Sequence, residues 1–209
     1  MLTLKLFTIL MDSELAAGEQ LSSWVLRAPT LKDRVELGKI MAEELSHGWA
    51  VAQLIETDFP KKGEEIVAKI SQRRMGNHHL YPFNQQFSCW EEIAIYTLLM
   101  DGSAEYIIGN FSKSSFKPLV RFLLKDEADH VNFGYQRIGL LYQVKPALVT
   151  RLLRKWWPLA LGNFGRADSQ YDQRKLEWGL VSRSNEENRQ AFIKAMRSRF
   201  SKLGIPLPV

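Results

Sequence analysis

Two segments of this 209-residue chain place a glutamate and a histidine three positions apart inside a helix-period apolar stripe. They are Glu44 with His47 in AEELSHGWAV, and Glu127 with His130 in KDEADHVNFG. Leu37, Ile40, Met41, Glu44, His47, Val51 and Leu54 share one helical face; Val120, Leu123, Leu124, Glu127, His130, Val131 and Ile138 share another. Both pairs therefore face an interior between helices. A carboxylate there is costly unless it is paired or holds a metal. The chain has only four histidines, so this repeat narrows the choice of fold more than any other feature.

The surrounding pattern is helical almost throughout. The spacing predicts a first helix from about Leu2 to Ala17, stopping at Gly18. A second opens behind Pro29 with Thr30 as N-cap and Asp33 three residues on, and closes near Asp58 ahead of Pro60 and Gly63. A third runs from about Ser88 toward Gly109. A fourth carries Pro118 in its first turn and ends before Pro146. Shorter helices are expected over about 147–157 and 185–203, separated by PLALGNFGRADSQ. No sustained alternation of Val, Ile and Thr calls for a sheet.

A metal site of this kind predicts more than the two pairs. Di-metal carboxylate bundles take Glu-x-x-His from two helices and one carboxylate from each of two others, because side chains at i and i+3 lean the same way. Bridging carboxylates then hold two cations about 3.5–4 Å apart. The first helix offers Glu14, on the stripe of Phe7, Leu10 and Met11. The third offers Asp101, in line with Ala94, Thr97 and Leu98, with Glu105 one turn later as a rival. Glu14 to Glu44 spans 30 residues and Asp101 to Glu127 spans 26, as two similar hairpins would. The bland readings are a surface glutamate at Glu14, a turn residue at Asp101 before Gly102, and core histidines bonded to their own glutamates. His78 and His79 lack a carboxylate at i−3 or i−4 and read as loop residues, Cys89 as a packed thiol, and KWWPLALGNFG as packing or a subunit contact.

Composition sets limits on function. Hydrophobic content of 45%, with six tryptophans and eleven phenylalanines, suits a single domain with a real core. We expect one ferritin-like domain over 1–209, with its core bundle at about 2–145 and a basic helical part at about 146–209. Residues 146–209 hold twelve Lys/Arg against five Asp/Glu (+7), whereas residues 1–145 hold sixteen against eighteen (−2). Such an asymmetry suits an anionic partner or a solvated helical surface. One cysteine leaves no internal disulfide and no iron–sulfur cluster. The N-terminal MLTLKLFTILMDSELAAG carries Lys5, Asp12 and Glu14 and reads as an amphipathic helix rather than a signal peptide. No run of 18 apolar residues suggests a membrane span, and the expected location is cytoplasmic.

The segments SELAAG, RAPTLKDR, EELSHG, WEEIAIYTLLMDGSA, KDEADH, KWWPLALGNFG and NEENRQAF…LGIPLP resemble the catalytic di-iron oxygenase subunit of the phenylacetyl-CoA epoxidase family, from about Ser13 to Pro208. The resemblance implies an all-α, ferritin-like four-helix bundle with additional C-terminal helices. The family's iron ligands would fall on Glu14, Glu44, His47, Asp101, Glu127 and His130, and its aspartate on the third helix favours Asp101 over Glu105. The chain is shorter than typical catalytic subunits, and its loops at 56–87 and 109–117 depart in length from the family pattern. The family also contains a structural partner subunit that has lost ligands; this chain keeps all six.

The implied activity is a monooxygenase that uses O₂ and two iron ions, with manganese as the alternative metal, to epoxidise or hydroxylate an acyl-CoA thioester. Electrons would come from a separate reductase, and a structural partner subunit or a homo-oligomer is expected. The basic C-terminal part would suit a coenzyme A phosphate or an acidic partner. Two other readings stand beside it: a ferritin-like tRNA hydroxylase, which the basic region suits but the matching segments disfavour, and a non-catalytic iron-binding or structural subunit.

Overall fold

The structure is a computed structural model that describes residues 1–208. The chain divides into two compact units, Met1–Trp90 and a second that begins at Glu91.

The first unit is a hairpin of two long helices, α1 (Leu2–Val25) and α2 (Leu31–Asp58), with α3 (Lys62–Ser71) packed on both and a 3₁₀ turn at Tyr81–Asn84 on α1. Thr30 caps α2 as the sequence predicts: its Oγ1 accepts a hydrogen bond from the Asp33 amide at 3.1 Å. Gly18 does not stop α1; the helix runs seven residues past it, to Val25. The glycine serves packing instead. A Cβ on Gly18 would lie 2.7 Å from Leu45 Cδ2, and one on Gly48 would lie 2.7 Å from Leu15 Cδ2. Each helix thus seats a leucine of the other over a glycine. α2 closes at Asp58 as expected, and Gly63 sits in the first turn of α3, where a Cβ would meet the Ile55 carbonyl at 2.5 Å. The sequence pattern marks no helix at α3, because its 10 residues sit between turn signals.

The second unit holds α4 (Trp90–Gly109), α5 (Lys117–Val144), α6 (Pro146–Gly162), α7 (Gln170–Glu177) and α8 (Asn185–Lys202), Trp90 itself closing the first unit. α4 and α5 cross closely at Gly134, where a Cβ would fall 2.5 Å from the Ala94 carbonyl oxygen and 2.6 Å from the Leu98 amide nitrogen. α6 extends to Gly162 with Pro158 inside it, longer than expected, and the short α7 falls where the sequence predicts no helix. Glu92, fully buried on α4, accepts a 2.7 Å hydrogen bond from Trp156 Nε1 and pairs with Lys155 Nζ, which ties α6 to α4. Phe192 of α8 stacks on Trp157 at 5.7 Å between ring centres. Ser184 and Glu187 form a capping box that starts α8, and the hydrogen bonds from Ser184 hold the Glu187 carboxyl below its ordinary range.

The all-α, ferritin-like helical class expected from the sequence holds. Among the described residues the only extended pairing is an isolated bridge between Phe111 and Val181. No helix among them is long and apolar enough to cross a membrane.

Candidate metal centre

In the first unit, α1 and α2 bring Glu14, Glu44 and His47 together. All three are buried, and one ligand atom from each lies within 4.8 Å of the others. Glu14 Oε2 stands 3.5 Å from His47 Nδ1. The stripe that carries Glu14 also carries Phe7, Leu10 and Met11, all buried, so the carboxylate enters an apolar interior. Burial pushes the Glu14 carboxyl up to about 7; hydrogen bonding to His47 works against this, and the neighbouring Glu44 charge adds to it. Two glutamates forced together out of water are what a divalent cation relieves.

In the second unit, α4 and α5 bring Asp101, Glu127 and His130 together, again all buried. His130 Nδ1 lies 3.8 Å from Asp101 Oδ2 and 4.0 Å from Glu127 Oε2. Asp101 is no turn residue, since α4 continues through Gly102 to Gly109. Gly102 makes room for α8: a Cβ there would stand 2.8 Å from Met196 Cε. Glu105 turns elsewhere, with Oε2 3.8 Å from Arg199 Nη2 and its side chain partly exposed.

The two triads have the same make-up: a carboxylate on the first helix of a hairpin, then Glu-x-x-His on the second. Two oxygen ligands and one imidazole per triad suit a first-row transition metal such as iron or manganese. In the second unit the 3.8 and 4.0 Å separations are longer than ordinary hydrogen bonds. The residues present fit the metal that the sequence implies.

A supporting cluster lies beyond the reach of sequence pattern. His78 and His79 do lie in a loop, but both reach Asp12 on α1, two positions before Glu14. His78 Nδ1 is 3.2 Å from Asp12 Oδ1 and its Nε2 is 3.0 Å from Glu19 Oε2. The His79 amide donates to Asp12 Oδ2 at 2.6 Å, and Arg73 Nη1 approaches the same oxygen at 3.3 Å. These contacts fix the rotation of α1 about its axis, which aims Glu14. They join residues 59 to 67 positions apart, so no local pattern announces them.

The family model for the phenylacetic acid catabolic protein matches residues 2–209. The chain is 29% identical over 195 residues to one of the subunits of the 1,2-phenylacetyl-CoA epoxidase of Escherichia coli strain K12, covering 89% of this chain and 62% of that protein. It is 30% identical over 139 residues to the benzoyl-CoA oxygenase component B of Aromatoleum evansii, covering 63% of this chain and 29% of that protein. The chain thus spans less than two thirds of the length of either relative. With a match across essentially its whole length, the chain belongs to the phenylacetic acid catabolic protein family.

Proposed function

We propose that Glu14, Glu44, His47, Asp101, Glu127 and His130 are the ligands of two iron ions, and that the protein is a monooxygenase acting on an aromatic or other acyl-CoA thioester. The observation that carries this reading is the repetition of one buried ligand set, carboxylate plus Glu-x-x-His, in each of two helical hairpins. The names of the two relatives, an epoxidase and an oxygenase of CoA thioesters, support the substrate class.

Bound iron would supply the reduction of O₂, with two electrons and two protons, so that one oxygen atom enters the substrate and the other leaves as water. The chain's own residues do the rest. Glu14 must release its proton to take up a cation, so loading is coupled to proton release. Phe7, Leu10 and Met11 on α1, and Leu98 and Leu123 in the second unit, line the helices that carry the triads and keep water away from the ligands. Asp12 and its loop partners hold α1 in rotation. Cys89 is the only cysteine and cannot bind an iron–sulfur cluster, so the electrons come from a separate reductase.

The test begins with metal content after anaerobic ferrous loading. We expect close to two irons per chain in the wild type and a sharp drop in Glu44→Ala. Loaded protein with a reductase should then consume O₂ in step with the turnover of an aromatic acyl-CoA. Absence of specific metal in both proteins would sink the reading and leave the six residues as a polar core.

A further inference from the structure

The segments KWWPLALGNFG and LGIPLP take no part in the metal centre, yet the fold brings them together in the second unit. α8 ends in a Schellman turn. Gly204 takes the left-handed conformation at φ +67°, its amide donates to the Ser201 carbonyl at 3.1 Å, and the Ile205 amide donates to the Phe200 carbonyl at 3.0 Å. The turn brings Pro206 and Pro208 to the side of α6. Between them and the face of α6 that carries Arg154, Trp157, Pro158 and Leu161 lies a groove of about 640 Å³, the size of a small-molecule site.

The walls are rigid before anything binds. Proline side chains have no rotamers to lose, and Pro158, Pro206 and Pro208 all border the groove. Trp157 is 8% exposed and stacks on Phe192, which fixes its ring as well. A ligand entering such a groove loses little affinity to ordering of the protein.

The polar groups select the charge of that ligand. Arg154 is exposed, and among the described residues its side chain has no ion-pair or hydrogen-bond partner, whereas its neighbour Lys155 is held by Glu92. Two further groups beside it are acceptors. Thr150, also on the groove, donates its hydroxyl proton to the Pro146 carbonyl at 2.9 Å and keeps only lone pairs to offer. Pro158 has no N–H to give to the Arg154 carbonyl four residues before it. One guanidinium fork among lone pairs matches a single carboxylate, gripped by two parallel N–H···O bonds. A phosphate ester or coenzyme A would set its further charges against acceptors and apolar walls. We propose that this groove binds an aryl monocarboxylate, with the carboxylate on Arg154 and the ring between Trp157, Leu161 and the proline faces, a pairing of aromatic and proline surfaces that recurs in peptide recognition. None of the six candidate metal ligands lines the groove, so this site stands apart from the metal centre.

The experiment is equilibrium dialysis of phenylbutyrate against the full chain, both metal-free and iron-loaded. One molecule should bind per chain with a Kd of about 0.1–1 mM. Arg154→Gln should weaken binding about 10- to 100-fold, and Arg154→Lys, which keeps the charge but loses the fork, should weaken it less. Arg154 is exposed, so both substitutions leave the packing of α6 intact. Arg151→Gln, exposed on the same helix but outside the groove, should change nothing. Acetate, which has no ring, and phenylbutyramide, which has no charge, should each bind at least about tenfold more weakly than phenylbutyrate. Absence of binding at about 10 mM ligand overturns the proposal, as does binding that survives Arg154→Gln or falls equally with Arg151→Gln. Equal affinity for the amide overturns the role of the carboxylate. Equal affinity with and without iron is expected; binding seen only with iron would put the ligand on the metal and overturn the groove.

Discussion

The two ligand-bearing hairpins use glycine in different ways where their helices meet. In the first unit, α1 and α2 each seat a leucine over a glycine of the other helix, Leu45 on Gly18 and Leu15 on Gly48. In the second, α5 presses Gly134 onto the backbone of α4 between Ala94 and Leu98. The first-helix carboxylate differs as well: a glutamate 3.5 Å from His47 in the first unit, an aspartate 3.8 Å from His130 in the second.

The largest expected effect tests the charge side of this comparison. Glu14 titrates near 7 in the folded metal-free protein against an ordinary value of 4.5. Between those values the folded state keeps a proton that the unfolded chain has lost, so stability falls as pH rises from about 4.5 to about 7 and is level above. The group's contribution is about 3 kcal/mol over that window. Denaturant titrations of metal-free wild type and Glu14→Gln should differ by this slope, and parallel pH profiles would show that the buried carboxyl is not the source.

The packing side comes next. Gly134→Ala sets a Cβ against backbone atoms that cannot rotate away, and should cost about 2–3 kcal/mol. Gly48→Ala meets side-chain atoms of Leu15, Cδ2 at 2.7 Å and Cγ at 2.9 Å, with the nearest backbone atom 3.4 Å away. It should cost under about 1 kcal/mol. Equal losses in Tm for the two variants would break the contrast between side-chain and backbone contact.

The smallest effect concerns how the second helix of each hairpin begins. Thr30→Ala removes the hydrogen bond to the Asp33 amide and should cost about 1 kcal/mol in the first unit. Pro118→Ala, in the first turn of α5, removes only preorganisation and should cost a few tenths of a kcal/mol. Chemical denaturation of both variants separates the two.

Much of the fold and the site is legible in the chain itself. Thr30 and Pro118 mark helix starts because capping and proline geometry act within one turn. The six candidate residues stand out because each falls on a 3.6-residue apolar stripe, and the structure buries all six. Gly18 misleads for a physical reason. A glycine weakens a helix locally, but here it sits where Leu45 comes too near for a Cβ, and that contact outweighs propensity. α3 and α7, of 10 and 8 residues, are too short for periodicity to outweigh the turn signals beside them.

The sequence by itself determined the helical class and the repeated Glu-x-x-His, since each depends on spacing along a single helix. Only the tertiary structure decided the rest. It set Asp101 inward and Glu105 toward Arg199, gathered His78 and His79 on Asp12, and brought α5 onto the backbone of α4. Those outcomes depend on how closely two helices approach and on contacts some 40 to 90 residues apart, and neither leaves a periodic trace in the chain.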